Sequence, residues 1–338
     1  MGDYLDCLLG EAEFYSAAVV ESVYLGGGTP GYLSLNYLKR FLQGLRQKFQ
    51  FTSDCEWTLE ANPEGMDLEK AKLLYDLGVN RMSLGVQSFD DRYLKYLGRC
   101  HDARRASTAF GDLRKAGFKN INVDLMYSFP GQTEGEITQD VRAVTSLGSE
   151  HLSLYTLTIE ENSRFYTRGV KLDTGARRAG QYEQVVSFLE QTKFQQYEIS
   201  NFARPGWESR HNLNYWQGGD YIGLGVGAHS HERGRRFWNV SKTNVYMNRI
   251  QKQQSPLDGE EKLSAHQRLM EFILFGLRMN QGVQVQEAMQ KAGCVLGQKR
   301  RQTMEKLVQE GFLFWDKNYL KTTLKGRLVL DEISSRLI

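Results

Sequence analysis

Polar groups able to bind a charged ligand recur at the ends of successive predicted strands. A short apolar run stops at Gly26-Gly27-Gly28-Thr29, where three residues without Cβ let backbone N–H and C=O groups approach a ligand closely. Thr29 precedes Pro30 and is suited to cap a helix that begins there. The strands that follow end in Glu60 and Asn62, Gln87 and Ser88, Asp124, and Thr156 with Thr158. Together these groups predict one binding site built from several strands.

The elements that must position these groups alternate between strands and helices. The pattern predicts strands at 22–25, 56–60, 81–86, 120–126 and 151–157. It predicts helices at 3–20, 33–47, 67–77, 90–97, 103–116, 134–146 and 175–192. Such alternation is typical of a parallel sheet with right-handed crossovers. Polar groups at the same end of five strands favour an α/β fold of the (β/α) barrel type, because a doubly wound sheet concentrates its ligand groups near one switch point.

Residues 194–232 differ from this repeat and predict loops dense in Gly, Asn and aromatic residues. They contain His211-Asn212-Leu213-Asn214-Tyr215-Trp216 and Gly223-Leu224-Gly225-Val226-Gly227-Ala228-His229. The second stretch has no helix predicted after it and therefore lacks the context of a dinucleotide-binding loop. Loops rich in Trp, Tyr and His predict a ligand pocket. His229 and His231 form an H-x-H pair, for which a structural role is favoured over a metal site.

The C-terminal part predicts a separate small module. We expect a barrel region over 1–250, a polar linker over 251–262 and a module over 263–338. Three helices at 263–279, 283–291 and 297–310, then a hairpin at 311–322, indicate a winged-helix-like fold. Such modules often bind DNA, and Lys299, Arg300 and Arg301 begin the third helix. The weak overall charge favours a packing or lid role, and no nucleic-acid partner is expected.

Composition indicates an ordinary globular protein. The chain has 338 residues, a net charge of +3, 41% apolar residues and 25% charged residues. No apolar run is long enough for a membrane span and the N-terminus does not resemble a signal peptide, so we expect a cytoplasmic protein. Its four cysteines, Cys7, Cys55, Cys100 and Cys294, are scattered and predict neither a zinc ribbon nor a disulfide framework.

Five ordered stretches carry a family resemblance. They are Gly26-Gly27-Gly28-Thr29-Pro30, Thr58-Leu59-Glu60-Ala61-Asn62-Pro63, Arg81-Met82-Ser83-Leu84-Gly85-Val86-Gln87-Ser88-Phe89, Leu97-Gly98-Arg99, and Val123-Asp124-Leu125-Met126-Tyr127-Ser128-Phe129-Pro130-Gly131. Together they resemble the radical S-adenosylmethionine (SAM) family, in particular its coproporphyrinogen III oxidase-like group. Residues 211–216 are similar to the H-N-x-x-Y-W motif of the HemW-type heme chaperones in that group, which the oxygen-independent coproporphyrinogen III oxidases lack.

The resemblance implies a set of SAM contacts, and their chemistry suits the ligand. The set consists of Gly27, Gly28, Thr29, Glu60, Gln87, Arg99 and Asp124. Glu60 or the glycine backbone suits the ammonium, Arg99 the carboxylate and Asp124 the ribose hydroxyls, while Gln87 is able to bridge. Taken singly, Glu60 or Asp124 is also consistent with a helix cap or an ion pair.

For heme, the resemblance implies an axial ligand and two flat apolar faces. His211 is the expected iron ligand through a neutral imidazole, with Tyr215 and Trp216 against the porphyrin. The alternative is that His211 and Asn212 cap a turn while the two aromatic residues pack in the core. The implied function is a chaperone that delivers heme to acceptor proteins, with possible peripheral contact with membrane acceptors. The alternative function is a coproporphyrinogen III oxidase-like enzyme of porphyrin biosynthesis.

One family element has no counterpart in the sequence. Radical SAM proteins bind a 4Fe-4S cluster through C-x-x-x-C-x-x-C after the first barrel strand, and this motif is absent. Only 25 residues precede Gly26. We therefore expect an incomplete barrel without its first strand and cluster loop, and no radical chemistry by the chain as it stands, because SAM cleavage requires an electron delivered through the cluster.

Overall fold

The computed structural model describes residues 1–161 and 163–338, which alternate between strands and helices over the first two thirds. The strands are β1 (Val19–Leu25), β2 (Gln50–Ala61), β3 (Arg81–Gln87), β4 (Ile121–Tyr127), β5 (His151–Thr156), β6 (Gln195–Glu198), β7 (Asn201–Ala203), β8 (His229–Glu232), β9 (Arg235–Asn239), β10 (Leu257–Lys262), β11 (Val283–Gln284), β12 (Leu313–Asp316) and β13 (Tyr319–Thr322).

The helices fall largely between these strands. They are α1 (Gly2–Ala12), α2 (Leu35–Arg46), α3 (Leu68–Asp76), α4 (Asp91–Leu97), α5 (Ala103–Ala116), α6 (Glu134–Leu147), α7 (Arg164–Thr167), α8 (Gly175–Glu190), α9 (Arg210–Trp216), α10 (Thr243–Gln251), α11 (Ala265–Arg278), α12 (Val285–Ala292), α13 (Gln298–Gln309), α14 (Leu324–Leu328) and α15 (Leu330–Leu337). None of the helices in the described chain is both long enough and apolar enough to cross a bilayer.

The chain forms two compact units. We call residues 23–35 and 56–208 the sheet unit, and residues 1–22, 36–55 and 209–338 the helical unit. Strands β1 and β2 begin in the helical unit and end in the sheet unit. The three-part division predicted from the sequence stays a prediction.

The sheet unit is organised around parallel strands. The seven-stranded sheet has the order β1-β2-β3-β4-β5-β7-β6. Strands β2 to β5 pair in parallel, whereas β7 is antiparallel to both β5 and β6. Six of the seven residues of β3 are buried, as expected for a strand covered on both faces by helices. The short strands β6 and β7 lie where loops were expected, because strands of only three or four residues carry little periodic signal.

Side-chain caps and glycines set the helix ends that the sequence located well. Asp102 accepts a hydrogen bond from the Arg105 N–H at the start of α5, and Gly117, in the left-handed conformation, ends the helix. The predicted helix at 3–20 is wrong in its second half. α1 ends at Ala12, and the β-branched Val19 and Val20 already belong to β1.

A buried carboxylate joins the first helix to the rest of the helical unit. Glu11 is fully buried and accepts hydrogen bonds from the Gly225 N–H at 2.8 Å, Asn239 Nδ2 at 2.5 Å and the Tyr246 hydroxyl at 2.6 Å. Burial raises the pKa of Glu11, and these three donors oppose that rise. The Glu11 carboxyl group thus connects α1 to three segments that are distant in the chain: the loop at Gly225, strand β9 and helix α10.

The C-terminal segment contains the expected three helices and hairpin. Strands β11, β13 and β12 form a small antiparallel sheet beside α11, α12 and α13. Two short helices, α14 and α15, follow it and were not predicted. The expected linker at 251–262 contains the strand Leu257–Lys262, which pairs with β9 at the edge of a three-stranded sheet. Its mostly exposed, charged residues are typical of an edge strand and gave no strand signal in the sequence.

A buried aspartate holds the turn that follows β3. Gln87, the last residue of β3, has a φ of 72°, which is unusual for a residue with a side chain. Directly after it, the Ser88 hydroxyl donates to Asp140 Oδ2 and the Phe89 N–H donates to Asp140 Oδ1, both at 2.7 Å. Burial raises the pKa of Asp140 from 3.8 to about 6. The position of Gln87 therefore depends on a carboxyl group carried by α6.

The raised pKa of Asp140 predicts a pH-dependent contribution to stability. Between pH 4 and 6 the unfolded chain releases this proton more readily than the folded one, so the free energy of unfolding falls as pH rises through that window. In Asp140→Asn this contribution is absent. We expect the difference in unfolding free energy, wild type minus variant, to fall by about 2–3 kcal/mol between pH 4 and 7 in urea titrations. A constant difference across these pH values would contradict the assignment.

Candidate functional site

The glycine loop after β1 leaves room for a ligand. A Cβ on Gly26 would lie 3.0 Å from the Glu60 carboxyl group, so this position leaves little room for a side chain. Gly27 has a φ of 78°, and a Cβ on Gly27 or Gly28 would meet no atom within 4 Å. Thr29 does not cap a helix as expected. It precedes a short 3₁₀ turn at Pro30–Tyr32 and its side chain makes no capping hydrogen bond.

The carboxyl groups of Glu60, beside this loop, and Asp124 lie close enough to interact through their charges. The Tyr24 hydroxyl donates to Glu60 Oε1 at 2.8 Å. Burial raises the pKa of Glu60, and the negative charge of Asp124 raises it further. Burial also raises the pKa of Asp124. Asp124 lies in the middle of β4 rather than at its end. Two carboxylates that are each costly to ionise form a site that a cationic ligand would stabilise.

A directed set of hydrogen bonds fixes Asp124. Asn122 Nδ2 donates to Asp124 Oδ1 at 2.8 Å, and the Ser83 hydroxyl donates to Oδ2 at 3.1 Å. On the other side, His151 Nδ1 donates to Asn122 Oδ1 at 2.6 Å, and the Tyr197 hydroxyl donates to His151 Nε2 at 2.8 Å. Burial and the nearby Arg81 charge lower the pKa of His151, so this imidazole is neutral. Because Asn122 Oδ1 can only accept, the neutral ring carries its proton on Nδ1.

Asn62 brings Gln87 and Arg99 to the same edge of the sheet unit. A Cβ on Gly85 would lie 2.9 Å from Asn62 Oδ1 and 3.1 Å from Gln87 Nε2, so both amides lie over Gly85. Arg99 Nη1 donates to Asn62 Oδ1 at 3.5 Å, the long limit for such a bond. Arg99 follows Gly98, which ends α4 in the left-handed conformation.

The residues predicted for SAM thus lie in the sheet unit in two groups. Glu60 lies beside the glycine loop and within range of the charge of Asp124, and Gln87 and Arg99 lie around Asn62. A loop with open space beside two glycines, two neighbouring carboxylates and a guanidinium fits a ligand that carries a cationic centre and a carboxylate, as SAM does. The sequence analysis missed Tyr24, Asn122 and His151, because an ordinary strand residue gives no sign of the partner it meets across the sheet.

The described chain does not fit a 4Fe-4S cluster. Cys7 and Cys55 are buried, Cys100 is exposed and Cys294 is partly buried, and all four are free thiols. Within residues 1–161 and 163–338, no three His, Cys, Asp or Glu side chains are grouped so that they could hold a metal ion. We therefore derive no reaction step through a cluster.

The second candidate site lies in the helical unit on α9. The region was expected to be a loop but forms a short helix whose start is capped by Ser209, which accepts from the Asn212 N–H at 3.3 Å. His211 Nδ1 lies 3.0 Å from Ser22 Oγ, and its ring meets Tyr215 edge to face at 4.9 Å. The Arg278 guanidinium lies 4.3 Å from the centre of the Trp216 ring. His211 therefore does not cap this helix.

Tyr215 and Trp216 line a cavity of about 560 Å³. His211 is not among the described residues that line it, whereas His231 is. His231 Nδ1 lies 3.4 Å from Asp220 Oδ1. His229 is exposed and stacks on Trp238 at 5.9 Å. The two histidines of the H-x-H pair therefore have different surroundings. His229 packs on Trp238 at the surface, and His231 lines the cavity.

The Asn122 network makes a testable contribution to stability. Asn122→Ala would remove a donor to Asp124 and an acceptor for His151 inside the sheet unit. Because buried polar groups left without partners are costly, we expect the free energy of unfolding to fall by about 2–4 kcal/mol in urea titrations. Ser107→Ala on the exposed face of α5 serves as control and should change it by less than about 0.5 kcal/mol. Equal stability of Asn122→Ala and wild type would contradict the network.

Two sequence profiles match the chain. One is that of the Radical SAM superfamily, over residues 5–144, and the other is that of the HemN C-terminal domain, over residues 263–329. The second match covers most of the C-terminal segment that was expected to form a small module.

Full-length comparison identifies similar proteins. The chain is 34% identical to the heme chaperone HemW of Bacillus subtilis over 319 residues, which cover 93% of this chain and 84% of that protein. It is 32% identical to the heme chaperone HemW of Escherichia coli over 337 residues, covering 98% and 88%. Among solved structures, coproporphyrinogen III oxidase (HemN) from Escherichia coli, a radical SAM enzyme, matches with a TM-score of 0.86 at 24% identity, covering 99% of this chain and 82% of that one. This likeness confirms the expected α/β fold of radical SAM type.

Proposed function

This chain belongs to the HemW family of heme chaperones within the radical SAM proteins, and from this premise we propose that it binds heme and delivers it to acceptor proteins. Its relatives of that name are matched over more than four fifths of their length. The heme acceptors are proposed to be proteins, with peripheral contact where an acceptor lies at a membrane. A cytoplasmic location is part of the same proposal.

The observation that carries the proposal is the arrangement of the H-N-x-x-Y-W segment. It forms α9, and its last two residues, Tyr215 and Trp216, line an aromatic cavity. Rings of this kind bury a large apolar area against a flat ligand. The alternative, in which both residues only fill the core, fits less well because each contributes to a cavity wall.

His211 is the proposed iron ligand. Its Nδ1 contacts the Ser22 hydroxyl, which fixes the orientation of the ring. Residues that ligate metal through an imidazole are commonly oriented by such a second hydrogen bond. The edge contact with Tyr215 also holds the ring on α9.

Heme titration tests this assignment. His211→Ala should weaken heme binding by about tenfold, the effect of one lost interaction of about 1.4 kcal/mol, and should abolish the Soret shift that ligation produces. His229→Ala, which removes an exposed imidazole stacked on Trp238, is the matched control and should leave both unchanged. An unaltered Soret band in His211→Ala would exclude His211 as the ligand. Whether the protein binds heme at all is decided by the wild-type titration.

We also propose that the sheet unit binds SAM. The glycine loop supplies backbone groups, Glu60 and Asp124 supply negative charge for the cationic part, and Arg99 supplies a guanidinium for the carboxylate, with Gln87 beside it. SAM supplies a radical only together with a reduced cluster. The proposal therefore concerns binding alone, and the radical enzyme of porphyrin synthesis is not supported by the thiols of this chain.

Calorimetric titration with SAM tests the proposed SAM site of the sheet unit. Glu60→Gln and Asp124→Asn should each weaken SAM binding by about tenfold or more, because each removes a countercharge from a poorly solvated cation. Glu183→Gln, an exposed position on α8, should bind as wild type does. Undiminished binding in both site variants would show that these carboxylates do not contact SAM.

The C-terminal segment does not favour a nucleic-acid role. Arg300 Nε donates to the backbone oxygen of Leu337 at 2.9 Å, and Arg301 Nε donates to that of Leu296 at 3.1 Å. Two of the three basic residues that suggested DNA binding are thus engaged within the helical unit. We propose a packing role for this segment.

A further inference from the structure

The cavity beside α9 has flat apolar walls. Besides Tyr215 and Trp216 it is lined by Tyr221, Phe272 and Phe275. Tyr215 and Tyr221 meet edge to face at 4.5 Å, and Trp216 meets Phe275 in a similar way at 6.1 Å. Its volume of about 560 Å³ falls within the range of small-molecule sites. These walls fit a flat, largely apolar ring system.

The charged side chains of the cavity are predominantly basic. Arg233, Arg236, Arg268 and Lys291 line it, against Asp220 and Glu271. The four Lys and Arg side chains and two Asp and Glu side chains give the lining a net charge of +2. A cavity of this sign favours an anionic ligand, and a ligand with two carboxylates matches the charge in number.

Arg268 is the basic residue of the cavity that is best oriented to bind such a carboxylate. Its Nη1 and Nη2 donate to the backbone oxygens of Leu263 and Ala292, each at 3.0 Å. No carboxylate of the described chain pairs with it. Because a guanidinium has five N–H groups, these two bonds fix the group and leave further donors for a ligand.

Arg236 is a second side chain of the cavity that could bind a ligand carboxylate. Its Nη2 lies 2.7 Å from Glu271 Oε1, on α11. Burial raises the pKa of Glu271, which shows that this carboxylate is poorly solvated. A guanidinium that is paired with one carboxylate still has N–H groups that can donate to a second carboxylate.

We propose that this cavity receives the carboxylate-bearing edge of heme, with Arg268 and Arg236 as the groups that bind its two carboxylates. The inference rests on the proposed heme-binding function and deepens it, since it adds an anchoring site to the ring contacts of Tyr215 and Trp216. The same chemistry would accept other flat dicarboxylates, so the ring and the carboxylates must be tested separately.

Comparison of heme with heme dimethyl ester separates these two contributions. The ester keeps the ring and the iron but carries no carboxylate charge. We expect the wild-type full chain to bind heme at least about tenfold more tightly than the ester in absorption titrations. Arg268→Gln and Arg236→Gln should each weaken heme binding by about tenfold and leave the ester affinity unchanged.

The matched control is Arg235→Gln, the neighbouring residue on β9. Arg235 pairs with Glu260 at 2.5 Å and does not line the cavity, so this variant should behave as wild type. If Arg268→Gln and Arg236→Gln both bind heme as wild type does, the proposed carboxylate site is wrong, but the proposal that the protein binds heme is unaffected. If the wild type binds neither heme nor its ester, the proposed function itself fails.

A gain of affinity provides a test that misfolding cannot mimic. Glu271→Gln keeps the shape of the side chain but removes the negative charge that competes for Arg236. We expect this variant to bind heme several-fold more tightly and the dimethyl ester unchanged. Weaker or unchanged heme binding in Glu271→Gln would overturn the assignment of Arg236.

Discussion

Parallel pairing of β2 to β5 is the constraint on which the sheet-unit site depends. Strands that run in one direction bring residues separated by tens of positions to one side of the sheet. Glu60 and Asp124 come within range of each other's charge only because their strands are aligned in this way. The glycine loop after β1 lies beside Glu60, and the Asn62 amide lies beside Gln87 and Arg99.

Polar groups in the interior of the sheet unit determine how these side chains are presented. Asp124 does not depend on its own backbone position alone, because Asn122, Ser83 and the neutral His151 ring orient it. Asp140 performs a similar task for the turn at Gln87. In both cases a hydrogen bond from another element, from Ser83 on β3 to Asp124 and from the turn after β3 to Asp140 on α6, helps to fix a residue proposed to bind a ligand or the turn beside it.

The two candidate sites have opposite electrostatic character. The sheet unit offers two poorly solvated carboxylates, suited to a cation, whereas the cavity of the helical unit has a net charge of +2 and aromatic walls, suited to a flat anion. SAM and heme differ in the same respects. This difference supports two distinct ligands bound by one chain.

Much of this arrangement could be predicted from residues that are adjacent in the chain. Glycine runs, helix caps such as Asp102 and the repeating apolar pattern act through local geometry, so the strands β3 to β5 and helix α5 were located to within a residue or so. The end of α1 and the edge strand β10 were not, because the strand that follows α1 and β10 itself form by pairing with other segments. The strands β6 and β7 were missed because they are too short to carry a periodic signal.

The sequence by itself determined the family and the α/β repeat and supplied the residues proposed to bind SAM or heme, since these follow from residue type and order. Only the tertiary structure decided which groups meet. It joined Tyr24 to Glu60, connected His151 to Asp124 through Asn122, separated His211 from the cavity wall, and gathered Arg236 and Arg268 beside Tyr215 and Trp216. Contacts between residues distant in sequence depend on packing and strand pairing, and no local pattern encodes them.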